Sequence, residues 1–167
     1  MRNTKRNIFL VVTVAIMLFI FIMSSQDSTV SSGSSKGVIE IIARIVVKDY
    51  DSRPIQYKTA IIDNYQFFIR KTAHFTIYLC LGVSSLGLFS TYKFKNSKTD
   101  KFLAFVLCVL YSVSDEIHQL FVPGRAGMIS DVILDSTGAL LGIVIMFTVS
   151  RIIISNKGKK YGKIREK

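Results

Sequence analysis

The sequence predicts an all-α polytopic membrane protein, with four transmembrane helices and an extracytoplasmic amphipathic helical segment between the first two. Three observations predict it. Half of the 167 residues are apolar and a fifth are charged, and the mean hydropathy is +0.40, high for a soluble domain. The apolar residues gather into four runs, each able to reach the roughly 20 residues that cross a bilayer at about 1.5 Å per residue. Charges are kept out of these runs except for a cluster at one end of three of them.

The first span covers residues 8–25, where Ile8–Met23 continues into Ser24 and Ser25. Arg2, Lys5 and Arg6 precede it, and only Ser-Ser-Gln-Asp follows where a small-x-small cleavage site would lie, so it reads as an uncleaved signal anchor. Residues 26–66 form an outer segment. Its opening, SSQDSTVSSGSS, reads as a flexible Ser/Gly-rich connector. In the next stretch Val38, Ile41, Ile42, Ile45 and Val46 recur at helical spacing opposite Glu40, Arg44 and Lys48. That pattern predicts an amphipathic helix, by preference a packing helix that lids the bundle. A second short helix is expected around Ala60–Phe68. The remaining spans are expected at residues 67–90, 102–122 and 129–154, completing a single domain over 1–167 with no internal repeat. Cys80 and Cys108 lie inside apolar runs and read as packing residues.

Charge sets the expected orientation. Residues 1–7, the loop around Lys93–Lys101 and the tail from Arg151 carry 14 Lys and Arg against Asp100 and Glu166 alone. The positive-inside rule then places both termini in the cytoplasm of a multi-pass cell-membrane protein. The net charge of +11 is explained by topology, and no nucleic-acid partner is expected; membrane lipids are.

Depth along the spans brings three ionisable residues to one level. Counted from Phe67, His74 sits about 10 Å inward; Asp115 lies at a similar depth below Phe121–Val122, and Asp135 about 9 Å below Ile129. A shallower layer holds Arg70 and Lys71, then His118 and Gln119, then Asp131, each about one turn away on its own helix. Tyr78 extends the His74 face inward, and the turn PGRAG projects Arg125 over the group. Charges inside a bilayer are expensive and by default functional. Gly138 and Gly142 form a GxxxG pattern for close helix approach, with Gly82 and Gly87 of the second span expected to receive it.

The stretches RKTAHFTIYLCLG (70–82), DEIHQLFVPGRAG (115–127), DVILDSTGALLG (131–142) and FIMSSQ (21–26) resemble the VanZ-like family. The resemblance implies a small bacterial cell-envelope membrane protein. The founding member is associated with resistance to teicoplanin, a lipid-bearing glycopeptide antibiotic. The signature falls on Arg70, Lys71, His74, Tyr78, Asp115, Glu116, His118, Gln119, Arg125, Asp131, Asp135 and Gly138, and the resemblance assigns them no chemical role.

The residue types support several chemistries. In an enzyme acting on a lipid-linked substrate, His74 or His118 would serve as general acid/base beside Asp115, Glu116 or Asp135. Arg70, Lys71 and Arg125 would hold a phosphate or carboxylate, with Tyr78, Glu116, Gln119 and Asp131 completing the ligand site. Cys80 and Cys108 read as packing residues and not as reactive thiols, so a covalent nucleophile is not indicated. A metal-dependent variant would use His74, Asp115, His118 and an aspartate of the fourth span, although no recognised ligand spacing occurs. A non-enzymatic binder of a lipid-linked or lipoglycopeptide ligand fits the same cleft. The plainest alternative is a structural network in which these charges only neutralise one another.

Overall fold

Between Arg2 and Gly33 the chain has neither Gly nor Pro, so nothing interrupts the first apolar run, and α1 (Arg2–Ser24) is one helix. The computed structural model describes residues 2–92, 94 and 98–165; Lys93, Lys95, Glu166 and Lys167 of the charged flanks lie outside them. The described residues continue through α2 (Ser28–Val46), a 3-10 turn (Tyr50–Ser52), α3 (Ile55–Phe89), α4 (Thr99–Gln119) and α5 (Ile129–Arg165), and they include no strand. Of the two prolines, Pro54 is the N-cap of the helix that starts at Ile55 and Pro123 lies in the turn after Gln119, both places where a missing N–H and fixed φ are tolerated.

Four of the helices, α1, α3, α4 and α5, are long and apolar enough to cross a membrane. Their packing is that of a membrane bundle. Large apolar side chains such as Val11, Ile22, Phe102, Leu110, Ile133 and Val144 point outward and are exposed. Small or polar residues including Thr13, Ser84, Ser85, Ala104, Ser112 and Ala139 are buried. Such a surface suits lipid, where helix association depends on close packing and not on hiding apolar area from water. The core is two short clusters: Ile20, Tyr78, Leu81, Cys108 and Ala139, then Leu86, Ala104 and Ile143 further from the α4–α5 turn.

α3 is the central helix, packed against α1, α2, α4 and most extensively α5. Glycines set that last interface. A Cβ on Gly142 would run into the Leu79 carbonyl, one on Gly82 into the Ala139 carbonyl, and one on Gly138 into the Phe75 carbonyl. The GxxxG pattern therefore meets α3 as expected through Gly82. Gly87 does not take part; it makes room for the Phe9 ring of α1.

Other expectations are corrected. No separate helix exists around Ala60–Phe68, because α3 begins at Ile55 and runs 35 residues without a break. At about 1.5 Å per residue it is some 52 Å long, and its N-terminal turns project beyond a hydrocarbon core about 30 Å thick. The Ser-rich stretch is not a flexible connector. It is helical from Ser28, with Ser31 N–H bonded to the Asp27 carbonyl and Ser35 Oγ to the Ser31 carbonyl. Small serines let this helix sit close to its neighbours. α2 also turns a different face to the bundle than its apolar stripe suggested. Ser31, Ser35, Ile39 and Ala43 are buried, whereas Ile45 and Val46 are 80% and 75% exposed. α4 ends at Gln119, with Leu120–Val122 in turns, and α5 continues past residue 154 to Arg165.

Candidate functional site

Three of the four membrane helices bring an ionisable residue together at the α4–α5 end of the bundle. His74 of α3, Asp115 of α4 and Asp135 of α5 meet there, with one ligand-type atom from each lying within 4.8 Å of the others. His74 Nδ1 is 3.7 Å from Asp135 Oδ2. Asp135 is fully buried and Asp115 nearly so. The common depth expected from helical rise is therefore matched by lateral convergence.

The end of α1 braces this group. Ser24 Oγ donates to Asp115 Oδ2 at 3.0 Å, and Gln119 Nε2 donates to the same oxygen at 3.2 Å. Tyr111 Oη donates to the Met17 carbonyl at 2.5 Å, tying α4 to α1. Ser112 Oγ lies 3.5 Å from Asp135 Oδ2. Ser24, Ser112 and Tyr111 were not among the expected site residues. The signal for Ser24 was present in the Ser-Ser-Gln that closes the first apolar run; Ser112, inside an apolar helix, offered none.

Glu116 is buried and serves the turn. Its Oε2 accepts the Met128 N–H at 2.7 Å and its Oε1 accepts from Gln119 Nε2 at 3.3 Å. The Pro123–Gly124 bend needs Gly124 in the left-handed region at φ 72°. His118 stands apart from the three-helix group: its Nε2 is 3.0 Å from Ser25 Oγ and its ring lies 4.8 Å from that of Phe21.

The basic residues divide. Lys71 is paired with Asp131. Arg125 donates through Nη2 to the Met23 carbonyl at 3.1 Å, while its Nε and Nη1 are buried without a partner. Burial, followed by the neighbouring Arg70 guanidinium, lowers the Arg125 pKa from its ordinary value. Arg70 has no acid within ion-pair distance among the described residues.

Two cavities meet at these arginines. A polar one of about 410 Å³ is lined by Asp63, Gln66, Lys71, Gln119, Asp131 and the α4–α5 turn. An apolar slot of about 220 Å³ lies among Phe19, Ile20, Val38, Ile69 and Ile77. Arg70, His74 and Arg125 line both. A third, apolar cavity of about 420 Å³ between α2 and α3 shares Ile69 with the slot.

Four membrane-length helices that bring a half-buried histidine to two buried carboxylates at one end define a multi-pass helical membrane protein. Within that class, residues 9–152 match the VanZ/LLP1 family, and the chain belongs to the VanZ-like family. The match spans α1 to α5 and covers every expected site residue. No curated protein and no solved structure matches the chain.

Proposed function

We propose that this VanZ-like protein binds an amphiphile with an anionic head at the outer leaflet of the bacterial cell membrane, with both termini in the cytoplasm. The supporting observation is that Arg70, His74 and Arg125 line a polar cavity on one side and an apolar slot on the other. Two guanidiniums held near each other, neither in an ion pair with an acid among the described residues, suit a phosphate or carboxylate held bidentately. The slot and the adjoining α2–α3 cavity then take an acyl chain. A lipid-linked envelope component or a lipoglycopeptide combines these parts, and reduced susceptibility to teicoplanin is the phenotype that goes with this reading.

The test measures binding of a fluorescent short-chain phosphatidylglycerol to protein in detergent micelles. Arg70→Ala and Arg125→Ala are each expected to weaken binding at least tenfold, and to lower teicoplanin tolerance in cells at unchanged protein level. Wild-type affinity in both variants would sink the proposal. For orientation, a cysteine replacing the exposed Ala126, with Cys80→Ala, is expected to react with a membrane-impermeant maleimide from outside the cell; labelling only after lysis would reverse the topology.

A second reading is favoured by the His74–Asp135 pair. A carboxylate facing Nδ1 orients the imidazole so that Nε2 can exchange a proton with a bound headgroup. In that case lipids or wall precursors differ in mass between cells with and without the protein, and His74→Gln abolishes the difference.

A further inference from the structure

We propose that His74, Asp115 and Asp135 hold a divalent transition-metal cation beside the polar cavity, which His74 lines. The donor atoms come from three different helices and lie within 4.8 Å of one another. A cation bonded to His nitrogen and carboxylate oxygen at about 2.0–2.2 Å requires donors no more than roughly 4.4 Å apart. The trio needs to contract by only a few tenths of an ångström.

Charge balance points the same way. Asp115 and Asp135 are 4% and 0% exposed, in a bundle whose surroundings are lipid. Buried carboxylates are paired or coordinate a metal. The nearby ammonium of Lys71 is committed to Asp131, and Arg125 directs Nη2 to the Met23 carbonyl. Among the described residues no Lys or Arg lies within ion-pair distance of Asp115 or Asp135, which leaves the His74 imidazole beside two carboxylates.

Three buried polar atoms in and beside this group have no hydrogen-bond partner. Asp135 Oδ1 and His74 Nδ1 are buried without a hydrogen-bond partner, as is the hydroxyl of Tyr78, a fully buried residue one turn inward from His74. Asp115 is different: Ser24 and Gln119 hold its Oδ2, the outer bonding that orients a metal-ligating carboxylate. One nitrogen and two carboxylates suit zinc or manganese, and three protein ligands leave positions open for water or a headgroup oxygen. His118, bonded to Ser25, is not a ligand.

The test uses the full chain in detergent, with any affinity tag removed, stripped with EDTA and titrated with Co²⁺. Wild-type protein is expected to bind one Co²⁺ per chain, with visible d–d absorption that Zn²⁺ displaces. Asp135→Asn, Asp115→Asn and His74→Gln are each expected to reduce occupancy to under about a tenth of wild type, and His118→Gln is expected to titrate like wild type. A wild-type protein without a saturable Co²⁺ spectrum overturns the proposal, as it would if the two carboxylates share a proton instead. So does wild-type binding by Asp135→Asn. Should that variant fail to fold, the wild-type titration and Asp115→Asn decide the matter. No amphiphile is present, so loss of metal binding and loss of headgroup binding are separate outcomes.

Discussion

His74 Nδ1 stands 3.7 Å from Asp135 Oδ2 across the α3–α5 interface. The pair sits one helical turn from the contact between Gly138 and the Phe75 carbonyl. Close backbone approach and the polar cluster are thus consequences of the same packing.

Asp135 is fully buried with one oxygen unpartnered. Neutralising such a group at constant shape removes a desolvation cost. In EDTA, Asp135→Asn is expected to keep its helicity and to melt at or above the wild-type temperature, followed by circular dichroism. A fall of more than about 3 °C, on the order of 1 kcal/mol for a domain of this size, would instead show that the carboxylate stabilises the bundle.

Lys71 and Asp131 form a partly buried pair that joins α3 to α5. Lys71→Met, Asp131→Asn and the double variant form a thermodynamic cycle in mixed-micelle unfolding. A coupling of about 0.5–3 kcal/mol is expected for groups in contact. A coupling near zero would leave both side chains available to a ligand.

Glycine positions should divide by neighbourhood. Gly142→Ala drives a methyl into the Leu79 carbonyl and is expected to cost about 1–3 kcal/mol. Gly37→Ala meets nothing within 4 Å and lies inside α2, so a gain of up to about 1 kcal/mol is expected from helix propensity. Equal melting temperatures for the two variants would contradict the close α3–α5 packing.

The outward face of α2 is apolar at Ile41, Ile45 and Val46. With four spans already in lipid, this face is expected to rest on the membrane interface. A nitroxide at Ile45 should collide with oxygen more often than with a water-soluble nickel chelate. The reverse preference would place the face in water.

Much of the fold was legible in the chain because long apolar runs broken at charged or turn residues leave few alternatives in a bilayer. α1, α4 and α5 begin or end within a few residues of those breaks. α3 escaped because residues 55–66 are mixed in polarity, and only the lack of a breaker after Pro54 makes them continuous with the span. Helical rise brought His74, Asp115 and Asp135 to one depth, but rise says nothing about azimuth. His118, one turn from Asp115, consequently looked like a companion until its ring was seen against Phe21 and Ser25.

The sequence by itself determined four membrane-length helices, the clustering of ionisable groups at one end and the family. Those follow from hydropathy, from a fixed rise per residue and from motif order. Tertiary structure alone decided which cations were already paired, that Ser24 of the first helix supports Asp115 of the fourth, and that α2 packs through Ser31, Ser35, Ile39 and Ala43 instead of its greasiest stripe. In lipid, apolar side chains gain little by turning inward, so small residues that allow close backbone approach choose the buried face, and that choice depends on the neighbouring helix.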